Sequence, residues 1–295
     1  MNDMIDFIHE LEDEVLKIDE GAEKQEALLR LEETMRVYSG EDKLVSSLEI
    51  LEQIKNAPEE ERFETGIKEL DEILGGFRKN QLVVLAAPTK SGKTSFCIEL
   101  TIRLNAMNPV WIPFEESAEE LVRKFYDRHE QPPLFYTPQT ITGNTVPWIE
   151  KKIVEGKVKF GAKLFFIDHL HFIVPFTSDR LDTRIGGVMR DLKQIAKSHG
   201  VVIVLVAHLK KTNMMVSPTL EDLRDSSFIA QEADTVMMLW RKTKRDDDGE
   251  LVITNQTLLS VQANRRTGNT GNVKFVFKDG RFLIEDWKHT ENESW

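Results

Sequence analysis

Eight residues that follow an apolar run carry side chains suited to binding phosphate. The stretch APTKSGKT occupies residues 87–94, directly after QLVVLA. It matches the phosphate-loop pattern G-x-x-x-x-G-K-[ST] except at the first position, where Ala87 replaces glycine. Gly92 lets backbone N–H groups curl around a β-phosphate, and Lys93 can reach the β- and γ-phosphates. The Thr94 hydroxyl can hold Mg²⁺, so the roles of the second half of the loop are all filled.

The substitution at Ala87 does not remove the chemistry. A glycine is needed only where φ is positive or another group approaches very closely, and alanine is the smallest substitute. The sequence predicts a buried strand over Leu82 to Ala86 and a helix over Ser95 to Leu104, which is the context that the loop requires. We therefore predict a site for ATP, or another nucleoside triphosphate, with Mg²⁺. Its residues are Ala87, Pro88, Thr89, Lys90, Ser91, Gly92, Lys93, Thr94 and Ser95.

A second stretch, KLFFIDHLHFI at residues 163–173, ends a run of apolar residues in Asp168. The run predicts a central strand, so the carboxylate would lie at the carboxyl end of that strand, where it can hold Mg²⁺ through water. An apolar strand that ends in Asp is a weak signal by itself. A phosphate loop about 75 residues upstream strengthens it considerably.

The elements that must position these groups form a sheet. From Thr65 onward strand patterns alternate with helix patterns, which favours a parallel sheet covered on both faces. The tail from Leu258 instead predicts antiparallel strands, with Gly280 in a KDGR hairpin turn. The fold class is therefore α/β, with a mostly parallel central sheet after a short α-helical N-terminal segment. The strand candidates are Leu82–Ala86, Val110–Phe114, Leu164–Ile167, Val201–Ala207 and Thr235–Leu239.

The net charge of −11 is unevenly distributed along the chain. Residues 1–62 carry 19 acidic and 7 basic side chains, whereas residues 63–295 carry 31 and 32. The acidity belongs to the leading segment, and it does not exclude nucleic-acid binding by the remainder. We predict an acidic helical arm and linker over residues 1–61 and an ATPase domain over residues 62–295.

The arm has the pattern of narrow amphipathic helices. Such helices could form a coiled surface for a partner, although they more commonly cap their own domain or a neighbouring subunit. The stretch NAPEEER at residues 56–62 predicts a polar linker, in which Pro58 stops the last helix. The apolar residues at helical spacing are Met4, Ile8, Leu11, Val15 and Ile18, followed by Leu28, Leu31, Met35 and Tyr38.

Neither a membrane nor a disulfide framework is indicated. No apolar run approaches the roughly 18 residues of a membrane span, and no secretion leader precedes a cleavage site. We expect a soluble, intracellular protein with no membrane partner. The single cysteine, Cys97, cannot form an internal disulfide or a cysteine-rich zinc site, and it is best explained as a small buried apolar residue.

Six blocks follow one another in the order and spacing of the RecA-like motor domain of DnaB-type replicative helicases. They are TGIKELDEILGGFRKNQLVVLAAPTKSGKTSF, PFEESAEELVRKF, LFFIDHLHFI, VVIVLVAHLKK, LEDLRDSSFIAQEADTVMMLWR and ANRRTGNTG. The resemblance covers about residues 62–286, and the phage primase-helicases and mitochondrial Twinkle are particularly similar. It implies a RecA-like P-loop ATPase core and a homo-oligomeric, hexameric ring that translocates on single-stranded DNA.

The resemblance also implies catalytic roles outside the phosphate loop. Glu115 matches the catalytic glutamate that orients the attacking water, and its neighbour Glu116 would point to the other face. His208 matches the position that senses the γ-phosphate.

An arginine finger is implied by the block ANRRTGNTG. Arg265 falls on the residue that reaches the γ-phosphate bound by the neighbouring subunit. Ala263 replaces a family lysine that also reaches across, and Arg266 replaces a phenylalanine. Arg266 is therefore the second candidate for supplying charge to that nucleotide.

Nucleic-acid contacts in this family come from two loops that face the central channel. The first would be Val174 to Arg184 and the second Lys210 to Leu220, both after strands at the catalytic end of the sheet. Their basic residues suit a phosphate backbone. The candidates are Arg180, Arg184, Lys210 and Lys211.

The chain has neither the cysteines nor the length for a primase half, and the arm is smaller than the helical collar of bacterial replicative helicases. We expect a minimal motor in the cytoplasm of a bacterium, or of the host of a phage or mobile element, with a helicase loader or primase as a separate partner. The alternative is a non-unwinding RecA- or KaiC-like ATPase, a nucleotide-dependent assembly or recombination switch, with which TGIKELDEILGG is also compatible. The blocks after residue 200 favour the helicase.

Overall fold

The computed structural model describes most of the chain in two compact units, Met1–Glu59 and Glu60–Trp295. In the first unit, helix α1 spans Ala22–Ser39 and helix α2 spans Ser47–Asn56. No helix within the described ranges is long and apolar enough to cross a membrane. Those ranges are 11–13, 15–18, 21–39, 44–57, 60–89, 91–127, 133–177, 180–209, 216–223, 226–246 and 248–284.

Helix α2 lies outside the two apolar stripes predicted for the arm, and it buries none of its residues. Its first turn is capped by Ser46, whose hydroxyl accepts a hydrogen bond from the Glu49 backbone N–H at 3.2 Å. The apolar side chains of Leu48 and Ile54 are 74% and 64% exposed. The apolar stripe of α2 therefore lies open to solvent in the single chain.

The second unit contains one eight-stranded sheet in the order β2-β3-β4-β1-β5-β6-β7-β8. Strands β2, β3, β4, β1 and the beginning of β5 are parallel, and β5 to β8 are antiparallel to one another. This arrangement confirms the predicted α/β class and the antiparallel tail. The strands are β1 (Gln81–Ala87), β2 (Val110–Pro113), β3 (Leu164–Asp168), β4 (Val202–His208), β5 (Thr235–Arg245), β6 (Leu251–Asn264), β7 (Gly271–Lys278) and β8 (Arg281–Ile284).

Six helices in the described part of the second unit pack on the two faces of this sheet, and each face has its own apolar cluster. Because side chains alternate along a strand, β1 contributes Leu82 and Val84 to one cluster and Val83 and Leu85 to the other. A strand buried on both faces must be apolar throughout, which is why β1 and β4 were recognisable from sequence. The helices are α3 (Lys68–Leu74), α4 (Lys93–Arg103), α5 (Ala118–Tyr126), α6 (Val146–Phe160), α7 (Leu181–His199) and α8 (Ser226–Glu232).

The sequence underestimated the length of β5. The prediction ended at Leu239, whereas the strand continues to Arg245 and pairs with β6 along its length. Its last residues, RKTKR, are polar and mostly not buried, so they lack an apolar pattern. The predicted hairpin is confirmed, because Asp279 and Gly280 have φ of 50° and 77° between β7 and β8.

The last residues of the predicted linker are anchored to the second unit. Glu60 accepts hydrogen bonds from Arg78 at 2.8 Å and from Arg266 at 2.6 Å. Glu61 pairs with Lys163 at 2.6 Å. These two carboxylates, which the prediction placed in the linker, lie in the second unit.

Candidate nucleotide site and its surroundings

The phosphate loop begins where β1 ends. Ala87 is the last residue of β1, is fully buried and pairs with His208 of β4. Its carbonyl oxygen accepts a hydrogen bond from Lys93 Nζ at 3.2 Å. Because a strand residue has negative φ, alanine occupies this position without strain. Replacement of glycine by alanine therefore causes no backbone strain at this position.

Gly92, in contrast, is required by its conformation. It precedes α4 with φ of 93°, and a Cβ added there would lie 3.3 Å from Phe282 Cζ. The N-terminus of α4, with its positive dipole end, follows immediately. Ser91 and Ser95 are buried beside it, and Lys90 lies outside the described residues.

Lys93 is buried among oxygen and nitrogen acceptors. Its Nζ donates hydrogen bonds to the Ala87 and Pro88 carbonyls, both at 3.2 Å, and lies 3.1 Å from His208 Nδ1. Burial lowers the pKa of the Lys93 ammonium, and the charges of Asp168 and Glu115 oppose that effect. The group is held where a bound phosphate would take over these contacts.

Asp168 ends β3 beside the loop, as predicted. Its Oδ2 accepts a hydrogen bond from Thr94 Oγ1 at 3.1 Å, while its buried Oδ1 has no hydrogen-bond partner within the described part of the chain. Burial, and secondarily the charge of Glu115, raises the pKa of Asp168 to about 6. A hydroxyl beside a carboxylate with a free oxygen is a donor set that fits Mg²⁺ and its waters.

Glu115 and Glu116 occupy different environments although they are adjacent. Glu115 Oε1 lies 3.0 Å from His169 Nδ1 and 3.5 Å from His208 Nε2, and its side chain is 43% exposed. Glu116 forms an ion pair with Lys124 of α5 and is only 10% exposed. The structure thus brings Glu115, and not Glu116, to the phosphate loop.

His169 is a site residue that the sequence reasoning missed. Its ring packs edge-on against His208 with centroids 4.2 Å apart, and burial, with the charges of His208, His171 and Lys93, lowers its pKa to about 3. The imidazole is therefore neutral at pH 7. Strand adjacency was the missing signal: Pro113 of β2 pairs with Asp168 of β3, which brings the segments that follow the two strands, with Glu115 and His169, close together.

Arg265 lies at the other end of the sheet from the phosphate loop. It follows the last residue of β6, and its backbone N–H donates to the Asp234 carbonyl at 2.8 Å, just before β5 begins. The adjacent Thr235 pairs with Val83, four residues before Ala87 in β1. Arg265 is therefore about 13 Å from the loop along the strands and about 10 Å across them.

The two candidate finger residues differ in their partners. Arg266 is engaged, with its guanidinium 2.6 Å from Glu60. Arg265 is exposed, and its guanidinium has no ion pair or hydrogen bond with any residue that the structure describes. Its guanidinium is available to a neighbouring molecule, and its distance from the loop prevents contact with a nucleotide bound by its own chain.

Comparison with known proteins identifies the family. The family described as DnaB-like helicase C terminal domain matches residues 63–133 and 127–285, which is more than half of the chain. The chain belongs to this family. The resemblance drawn from the six sequence blocks is therefore confirmed.

The relatives of this DnaB-family chain are distant in sequence, but the similarity extends over most of the chain. It is 25% identical over 310 residues to a probable replicative DNA helicase of Trieres chinensis, covering 86% of this chain and 66% of the relative. It is 24% identical over 306 residues to the replicative DNA helicase DnaC of Bacillus subtilis, covering 90% and 66%. The chain thus spans just under two thirds of the length of these relatives.

Two solved structures share the fold. The ATPase domain of G40P superimposes with a TM-score of 0.67 at 21% identity, over 81% of this chain and 97% of that domain. A DnaB-like replicative helicase, described together with its interactions with primase, gives a TM-score of 0.67 at 19% identity over 95% and 76%. The RecA-like core expected of this DnaB-family chain is confirmed.

The structure describes only two of the four basic residues predicted to contact nucleic acid in this DnaB-family chain, and one of them does not lie in a loop. Arg180 is 84% exposed and pairs with Asp182 at 2.7 Å. The prediction that Arg184 lies in a loop is wrong, because α7 already begins at Leu181 and Arg184 Nη1 donates to the Pro175 carbonyl at 2.5 Å. Lys210 and Lys211 lie outside the described residues.

Proposed function

We propose that this chain is the motor of an ATP-dependent, ring-forming DNA helicase that translocates on single-stranded DNA by hydrolysing nucleotide between subunits. Membership of the DnaB family and similarity to replicative helicases support this function. One structural observation carries it: the exposed Arg265 stands at the opposite end of the sheet from its own phosphate loop. A site with that separation requires a second subunit for completion.

Nucleotide binding is assigned to the loop at Ala87–Ser95. Lys93 would exchange its two carbonyl contacts for the β- and γ-phosphates, and Gly92 would allow the backbone to approach them. Thr94 and Asp168 would hold Mg²⁺, which neutralises charge on the phosphates when bound. ATP is the proposed nucleotide, although the loop recognises phosphates and would accept other nucleoside triphosphates.

Catalysis is assigned to Glu115, which would orient the attacking water and accept its proton. The neutral His169 ring lies beside Glu115, with Nδ1 3.0 Å from Oε1 but without hydrogen-bond geometry, and it would limit the positions open to that carboxylate by packing. His208 lies between Lys93 and Glu115, at 3.1 Å and 3.5 Å, and could respond to occupancy of the γ-phosphate site. Arg265 of a neighbouring subunit would stabilise the charge of the transition state.

The assembly we propose is a ring of six copies, in which residues 62–295 form the motor and residues 1–61 form the arm. The open apolar stripe of α2 supports an arm that packs on a neighbouring subunit. Single-stranded DNA would pass through the channel along the loops that carry Arg180, Lys210 and Lys211, with Arg184 beside the first of them. A loader or a primase is a further proposed partner, since a solved DnaB-like helicase is described with its interactions with primase.

Strand displacement tests the function directly. The full chain is incubated with ATP, Mg²⁺ and a labelled DNA fork, and release of one strand is followed with the Lys93→Ala variant as the matched control. The helicase assignment predicts ring formation on single-stranded DNA and release by the wild type alone. Rings that hydrolyse ATP but release no strand from forks of either polarity would contradict it and would favour the assembly-switch alternative.

A further inference from the structure

A cavity of about 690 Å³ opens beside the segment that follows β3. Its apolar side is formed by Phe172, Pro175 and Phe176, and its polar side includes Asn144, Thr183 and Arg184. A concave site with an aromatic wall and a few polar groups suits a flat, heteroaromatic ligand. A nucleobase has this chemistry, because its faces stack and its edge forms hydrogen bonds.

Phe176 is the exposed part of this wall. Its side chain is 104% exposed, compared with 43% for Phe172 and 39% for Phe160, whereas Phe96, Phe125 and Phe166 are fully buried. A phenylalanine held in water forfeits the burial that stabilises the others. Its ring is therefore accessible to a ligand that could cover it.

The backbone next to Phe176 is held by α7. Arg184 Nη1 donates to the carbonyl of Pro175, which directly precedes Phe176, and the Arg184 guanidinium lies 6.0 Å from the centre of the Phe176 ring. This arrangement joins an aromatic face to a cation. Arg180 adds a second, exposed cation at the start of α7. An aromatic face with adjacent cations is the combination by which proteins hold single-stranded nucleic acid.

The same segment begins at the nucleotide site. Phe172 stacks on Phe114, the residue before Glu115, with ring centroids 6.2 Å apart, and it meets His169 edge-on at 4.8 Å. Phe176 is thus connected through one short turn to the groups proposed to act on the γ-phosphate.

We propose that Phe176 is a stacking platform for a base of single-stranded DNA, with the cavity receiving the edge of that base and Arg180 and Arg184 facing the adjacent phosphates. The proposal rests on the proposed function and goes beyond it. Contacts with phosphate alone are indifferent to the bases, whereas stacking makes binding depend on the presence of a base but little on its identity.

An abasic strand separates these two kinds of contact. The affinity of the full chain is measured, with a non-hydrolysable ATP analogue and Mg²⁺, for a thymidine oligonucleotide and for an abasic oligonucleotide of equal length. The proteins are the wild type, Phe176→Ala, Phe176→Trp and Tyr126→Ala. Tyr126 is a matched control, because it is an aromatic residue 65% exposed at the end of α5.

The stacking platform predicts a specific pattern. Phe176→Ala should bind the thymidine strand about tenfold more weakly than the wild type and should bind the abasic strand equally well. Phe176→Trp should retain the preference for bases, and Tyr126→Ala should change neither affinity.

Two results would overturn the stacking site while leaving the helicase function intact. Equal losses on both strands would show that Phe176 does not act through a base. Impaired oligomer assembly of Phe176→Ala without DNA, measured by mass, would show that the Phe176 side chain lies at a subunit interface. Failure of the wild type to bind either strand would contradict the proposed function itself.

Discussion

The two ends of the parallel strands differ in what they offer to a nucleotide. At the carboxyl ends, four neighbouring strands bring together the phosphate loop with Lys93, the buried carboxylate of Asp168, Glu115 and His208. At the amino ends lies the exposed Arg265, whose guanidinium has no partner among the described residues. On the proposed function, one chain would bind nucleotide and orient water, and a neighbouring chain would supply a charge that the transition state requires.

The electrostatic environments of the two ends of the sheet also differ. Burial shifts the pKa values of Lys93, Asp168 and His169 at the carboxyl ends. Arg265 is exposed and keeps its hydration until another molecule covers it. Shifted pKa values cluster where charges have been buried for chemistry, at a cost in stability. On the proposed function, the carboxyl ends would form the active site and Arg265 would act across a subunit interface.

Removing the phosphate-binding cation should have the largest effect. Lys93→Ala leaves the carbonyls of Ala87 and Pro88 facing the anion, and we expect loss of both nucleotide binding and measurable ATP turnover. Phosphate release and the binding of a fluorescent ATP analogue measure the two losses. Undiminished ATPase activity in a folded variant would contradict the assignment of the nucleotide site to the phosphate loop at the carboxyl ends.

Removing the finger should affect the chemical step alone. Arg265→Ala is expected to lower turnover by about a thousandfold while nucleotide affinity stays near that of the wild type, since a finger acts in the transition state. Arg266→Ala is the matched control, because Arg266 is already engaged with Glu60. Its turnover should remain within a few-fold of the wild type. An exchange of the two results would move the finger to Arg266.

The adjacent residues Glu115 and Glu116 allow a test of which carboxylate at the carboxyl ends activates the attacking water. Glu115→Gln keeps the size and removes the charge, so we expect hydrolysis to fall about a hundredfold with nucleotide affinity retained. Glu116→Gln should leave hydrolysis nearly unchanged, because that carboxylate pairs with Lys124. A larger loss for Glu116→Gln would show that the water is activated from the other face.

The smallest expected effect concerns stability. Because the pKa of Asp168 is raised from 3.8 to about 6 in the folded protein, its protonated form stabilises the fold below pH 4, and this contribution is lost as the pH rises through 6. Asp168→Asn should therefore be more stable than the wild type at pH 8, by about 3 kcal/mol or several degrees in Tm. The difference should shrink toward pH 4. Thermal unfolding without nucleotide measures this difference in stability. If the wild type were more stable than Asp168→Asn at pH 8, burial of the Asp168 charge would not destabilise the fold.

Much of the nucleotide site was predictable because its signals are local. The loop pattern identifies Gly92, Lys93 and Thr94, and apolar strands buried on both faces locate Asp168 and His208. The prediction that position 87 does not need glycine is also supported, because Ala87 ends β1 without a positive φ. Function assignments for these residues remain predictions.

The rest depended on contacts between distant segments. His169 could be placed beside Glu115 only with the register of β2 and β3. Arg184 was misplaced in a loop because α7 begins without a side-chain cap, so no sequence signal marks its start. The exposure of Phe176 follows from the packing of its neighbours, and a phenylalanine after an apolar strand is ordinarily expected to be buried.

Subunit mixing tests most directly whether the two ends of the sheet meet across an interface. Lys93→Ala and Arg265→Ala proteins are combined in equal amounts, mixed rings are verified by mass, and ATPase activity is compared with that of each protein alone. If loop and finger come from different chains, about a quarter of the interfaces regain both, and activity should rise toward about a quarter of the wild-type value. Mixing Lys93→Ala with the Lys93→Ala, Arg265→Ala double variant should restore none. Verified mixed rings that stay inactive in the first mixture would contradict a shared active site.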